Sequence, residues 1–86
     1  MKSSDRKFLK PGCRVVCNVF YPRSSYYVAT PGSLYSPYRT ESCDIQLGWT
    51  GTFMRSSPDS GPAYKIVKWD ENGIESEIHF ASIDFI

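Results

Sequence analysis

The stretch AYKIVKWDENGIESEIHF, residues 63–80, constrains the fold more than any other part of the chain. Its first half is short and rich in strand-favouring residues, with lysines spaced so that its two faces are unequally wetted. Asn72-Gly73 then supplies a site for the positive backbone angles that a hairpin turn requires. In the return segment Glu75, Glu77 and His79 lie on one side of the alternation and Ile74, Ile78 and Phe80 on the other, with Ser76 as the one gap. This pattern predicts paired strands over 63–70 and 74–80. No segment repeats apolar residues at helical spacing over several turns, so the chain is expected to be all-β.

Turn residues place the remaining strands. Pro11-Gly12 punctuates the chain just before CRVVCNVF, which predicts a strand over 13–20. Gly48 and Gly51 flank Trp49-Thr50 and open a second strand, 50–56, which SSPDSGP closes. ASIDFI ends the chain as a single helical turn leading into a short strand over 83–86. Eighty-six residues make one domain, 1–86, with a polar arm over residues 1–10. A chain this short buries only about 60–65% of its unfolded surface. Five short strands in so small a chain predict a barrel, because closure removes exposed edges.

The order PGCRVVC, GWTGTF, YKIVKWDENG and EIHFASIDFI resembles the Src-homology-3-like small barrels, a class that includes KOW and Tudor domains. The resemblance rests on Pro11-Gly12, on Gly48-Trp49-Thr50-Gly51-Thr52, on Ile66-Val67-Lys68-Trp69-Asp70 with Gly73, and on Ala81 to Ile83. It covers roughly residues 9–17 and 47–86. It implies a single barrel of about five strands and leaves the function open, since such barrels host many unrelated roles.

The departure from that pattern is a long insertion between the first two strands, residues 21–47. Its segment YPRSSYYVATPGSLYSPYR shows no helical or strand period and reads as a loop. Loops beyond about 12–15 residues are either functional or disordered. Five of the six tyrosines lie in it, and aromatics are the wrong residues for disorder, so an ordered binding loop is expected. Tyrosine and arginine are enriched in recognition surfaces because they carry large contact area on few rotors. Tyr21, Arg23, Tyr26, Tyr27, Tyr35, Tyr38 and Arg39, with Trp49 between its two glycines, form the candidate partner-binding set. The expected role is a non-catalytic protein-interaction module: an adaptor, an inhibitor or an accessory subunit of a larger assembly.

The same residues suit a second ligand. Aromatic faces stack on bases, and Lys7, Lys10, Arg14, Arg23 and Arg39 could follow a phosphate backbone of RNA or DNA. Residues 1–43 carry seven Lys/Arg against two Asp/Glu, while residues 44–86 carry three against seven. The sequence pI near 7.7 is well below the basic footprint of nucleic-acid binders, which ranks protein first.

Catalysis, cofactors and metals are not expected. Cys13 and Cys17 sit four residues apart on one strand, about 13 Å along the same face, beyond shared-ligand or disulfide reach. They are expected to be small buried hydrophobes, with Cys43 as the odd thiol. One histidine, His79, leaves a zinc site short of ligands. Gly48 and Gly51 are too closely spaced for a phosphate-binding fingerprint. Trp69 is expected in the core and Trp49 at the surface. With no apolar run of spanning length, the protein is expected in the cytoplasm, with no membrane partner and no small-molecule substrate.

Overall fold

The turn at Asn72-Gly73 forms in the computed structural model of the chain, which describes residues 10–32, 34–35, 37–58 and 60–86. Gly73 takes φ +69° and donates its N–H to the Trp69 carbonyl at 2.8 Å, while Trp69 N–H reaches Ile74 O at 3.1 Å. Seven strands follow in chain order: β1 Arg14–Cys17, β2 Tyr21–Ala29, β3 Tyr38–Ile45, β4 Thr50–Ser57, β5 Gly61–Trp69, β6 Glu75–His79 and β7 Ile83–Phe85. A single 3₁₀ turn, Phe80–Ser82, leads into β7, and no α-helix occurs among the described residues. The expected arm over residues 1–10 lies outside the described residues apart from Lys10.

Every strand expected from the sequence is present, with shifted ends. The first is shorter than 13–20, because the chain turns out of the sheet after Cys17. There the Asn18 amide donates to Ala81 O at 3.1 Å and to Asp84 Oδ2 at 2.9 Å, and its N–H bonds Ser82 O at 2.9 Å. The residues read as a loop, 21–47, instead contain two long strands, β2 and β3, paired antiparallel.

The other five strands form one antiparallel sheet in the order β6-β5-β4-β1-β7. It does not close into the expected barrel: β6 and β7 are its two edges, and the β2–β3 hairpin lies against β6 without joining the sheet. The reason is visible in the peptide groups of β6. Because Trp69 and Ile74 form a hydrogen-bonded pair, Ser76 and Ile78 direct their peptides to β5, and those of Glu75, Glu77 and His79 point away from it. Side-chain hydroxyls of β2, not a strand ladder, meet that outer edge: Ser24 reaches Glu77 O and Tyr21 the backbone of His79.

Inward-facing side chains from both sheets share one core of Val15, Cys17, Ile45, Phe53, Val67, Trp69, Ile78 and Ile83, all buried. Gly51 is required where β4 crosses close to β5. A Cβ there would sit 2.7 Å from both the Lys68 carbonyl oxygen and Val67 Cγ1.

Candidate binding surface

Pro22 has no N–H to give a ladder, and the β2–β3 register slips between Tyr21 and Ser24. Arg23 at this bulge takes φ +56°, and its N–H is held by Asp44 Oδ1 at 3.1 Å. On the core side of the bulge Tyr21 and Ile45 pack into the interior. Beyond it the ladder runs unbroken from Ser24–Cys43 to Ala29–Tyr38 and carries the hairpin away from the sheet. The molecule is accordingly elongated, 46 × 22 × 19 Å.

A buried polar chain fixes this arm to the body. Trp69 Nε1 donates to Ser76 Oγ at 2.9 Å, Ser76 Oγ lies 2.7 Å from Ser24 Oγ, and Ser24 Oγ lies 2.5 Å from Glu77 O. Each hydroxyl has one proton and the carbonyl can only accept, so the protons run one way: indole to Ser76, Ser76 to Ser24, Ser24 to Glu77. Both serines are fully buried, and each link contributes about 1 kcal/mol. Cys43 packs beside them and bonds Ser76, burial raising its thiol pKa above the usual value. Burial likewise raises the Tyr21 phenol, against the opposing effect of its bond to the His79 backbone.

The far end of the arm is apolar and open. Tyr27 and Tyr38 meet edge to face across the ladder with ring centroids 6.3 Å apart, and each is 58% exposed. Leu34 and Tyr35 at the tip are 93% and 98% exposed. They border a shallow depression of about 520 Å³ with Ala29, Pro31, Pro37 and Tyr38.

The structure divides the residues singled out from the sequence. Tyr27, Tyr35 and Tyr38 share the exposed part of the arm, and Tyr26 is half-buried on its other face. Tyr21 belongs to the base, packed on the core. Arg23 is exposed at the bulge, and Arg39 is paired with Glu41 at 2.7 Å. Trp49 is separate from the arm surface: it is half-buried against the core, 6.5 Å from the Trp69 ring. Lys7 lies outside the described residues. Leu34 joins the exposed tyrosines at the tip without any sequence pattern that marks it, and Ser24 and Ser76 carry no signal, because a buried serine matters only through what it meets in space.

Elsewhere, two ion pairs join charged side chains of the sheet. Arg14 forms a two-pronged pair with Asp70, which also accepts from Thr50 Oγ1 at 2.8 Å. Those bonds hold the Asp70 carboxyl down at about 2. Arg55 pairs with Glu75 at 3.2 Å. His79 Nδ1 accepts from Ala81 N–H at 3.1 Å, capping the 3₁₀ turn, and its ring stacks on Phe80. The three cysteines are free thiols.

Compared with protein-family models, curated proteins and solved structures, the chain matches none.

Proposed function

We propose that this chain is a non-catalytic protein-binding module in which an open, Src-homology-3-like β scaffold carries the β2–β3 arm as its contact surface. The observation that carries the reading is a contrast within that arm. Its base is anchored by a buried, fully satisfied polar chain, while Tyr27, Leu34, Tyr35 and Tyr38 remain in solvent at its far end. Large apolar side chains held out on a fixed framework lose little conformational freedom on binding, which favours a protein interface. The element order supports the scaffold assignment: a Pro-Gly turn enters β1, a glycine turn follows Trp69-Asp70, and a 3₁₀ turn precedes a last strand paired back on β1.

Nucleic acid ranks second. Two of the arginines that would follow a phosphate backbone, Arg14 and Arg39, already hold carboxylates, which a polyanion would have to displace.

The test is affinity capture with wild-type protein beside a Tyr27→Ser, Tyr35→Ser, Tyr38→Ser variant. All three side chains are exposed, so the variant should keep its fold and lose the captured protein, with weak dependence on salt. A folded variant that captures the same material would place the surface elsewhere. Steep log-linear weakening with salt would indicate nucleic acid instead.

A further inference from the structure

The two sides of the arm differ: β2 lies against β6, whereas β3 pairs with β2 alone among the described residues. The direction of the β3 peptide groups follows from the ladder. Thr30 N–H donates to Pro37 O at 2.8 Å, and the register continues unbroken to Ser24–Cys43. Hydrogen-bonded pairs alternate along an antiparallel ladder, so Arg39, Glu41 and Cys43 direct their peptides to β2, and Tyr38, Thr40 and Ser42 direct theirs to the open side.

We propose that this edge pairs antiparallel with the same edge of a second copy of the chain, about a two-fold axis through Thr40. The proposal rests on the arm being a protein-binding surface and names its partner. Two independent constraints select the register. Ladder geometry requires residues facing the open side to oppose one another, so the axis must pass through a residue and not between two. An axis through Arg39 or Glu41 would set each of these charges against its own copy. An axis through Thr40 sets Arg39 opposite the second copy's Glu41, twice, so that the Arg39–Glu41 ion pair each chain holds within itself is shared across the axis, and flanks the central Thr40 pair with two Tyr38–Ser42 pairs.

The same register accounts for the exposed apolar side chains. Because the two arms would run antiparallel, the tip that carries Leu34 and Tyr35 lies alongside the base of the second copy's arm. That base carries Phe20 and Leu47, which are 48% and 68% exposed and flank the Tyr21–Ile45 pair. An arm with apolar side chains at both ends is self-complementary in this arrangement, because each tip covers the other copy's base.

Sedimentation and light scattering of the purified wild-type chain should give twice the 9.8 kDa chain mass, falling to the single mass on dilution. Amide exchange at Thr40 and Ser42 should slow as protein concentration rises. Arg39→Glu and Glu41→Arg should each abolish the doubled mass, because each places like charges at both contacts. An equimolar mixture of R39E and E41R chains should restore it, since opposite charges then meet at both contacts although each chain alone carries like charges. A wild type of single-chain mass at every concentration overturns the proposal. So does a dimer indifferent to R39E, or a mixture that stays monomeric while both variants retain the wild-type circular dichroism. A monomeric wild type whose captured protein is lost on changing Tyr27, Tyr35 and Tyr38 overturns the two-fold pairing and leaves the arm reading standing.

Discussion

Replacing Ser76 with alanine is expected to damage the protein out of proportion to one lost oxygen. The Ser76 hydroxyl is fully buried and has two jobs, accepting from Trp69 Nε1 at 2.9 Å and joining Ser24 at 2.7 Å. Alanine leaves the indole N–H of a fully buried tryptophan without an acceptor, which costs about 1–3 kcal/mol. Ser24 keeps the Glu77 carbonyl, so the lost second link adds only about 0.5–1 kcal/mol. The expected total is about 1.5–4 kcal/mol, which in a domain of this size lowers Tm by roughly 6–30 °C. Calorimetry measures that loss, and hydrogen exchange locates it. Because Ser76 lies on β6 and Ser24 on β2, amides at the base of the arm should speed up before those of β4 and β5. Ser24→Ala removes the donor to the Glu77 edge carbonyl. The double variant should cost less than the sum of the two, since the Ser24–Ser76 contact is then lost once. An S76A protein that melts with the wild type, or a strictly additive pair, would refute the reasoning.

Other expectations follow from contacts described above. Gly51→Ala forces a Cβ to within 2.7 Å of a β5 backbone oxygen that cannot move aside, so denaturant unfolding should show a loss of about 1–3 kcal/mol. Gly48→Ala meets no atom within 4 Å but must adopt φ +90°, so it should cost less, about 1 kcal/mol. Asp70 is held near 2 in the folded chain against about 3.9 when unfolded, so its pairing with Arg14 and Thr50 adds stability above pH about 4. That contribution disappears as pH falls towards 2, and Asp70→Asn should flatten the Tm profile across this window; an unchanged slope would show that other carboxyls cause it. Thiol titration should count three free cysteines in denaturant, with Cys17 the slowest in the native state, because it is 1% exposed and burial raises its thiol pKa. Early reaction of Cys17 would place it outside the core.

The sequence by itself determined the strands that are bounded by turn residues and buried on one side: β1, β4, β5, β6 and β7 all follow from alternation, glycines and Pro11-Gly12. These signals are local, and alternation reports burial directly. The arm was illegible for the same reason. Its inner face is fully buried only at Ser24 and Ile45 and half-buried at Tyr21, Tyr26, Val28, Glu41 and Cys43, a mix of apolar, polar and charged residues that shows no apolar alternation, and Pro22 interrupts the pattern at the point where β2 begins. A strand that buries little leaves no period to read, so the conformation of the arm stayed hidden. Only the tertiary structure decided that the sheet stays open at β6, that Ser76 is an acceptor for an indole and not a gap, and that Trp49 packs against the core while Tyr27, Tyr35 and Tyr38 stay exposed. The open edge depends on which groups meet across the β2–β6 boundary, some fifty residues apart in the chain, and the place of Trp49 on its packing beside Trp69, and no local pattern encodes such meetings.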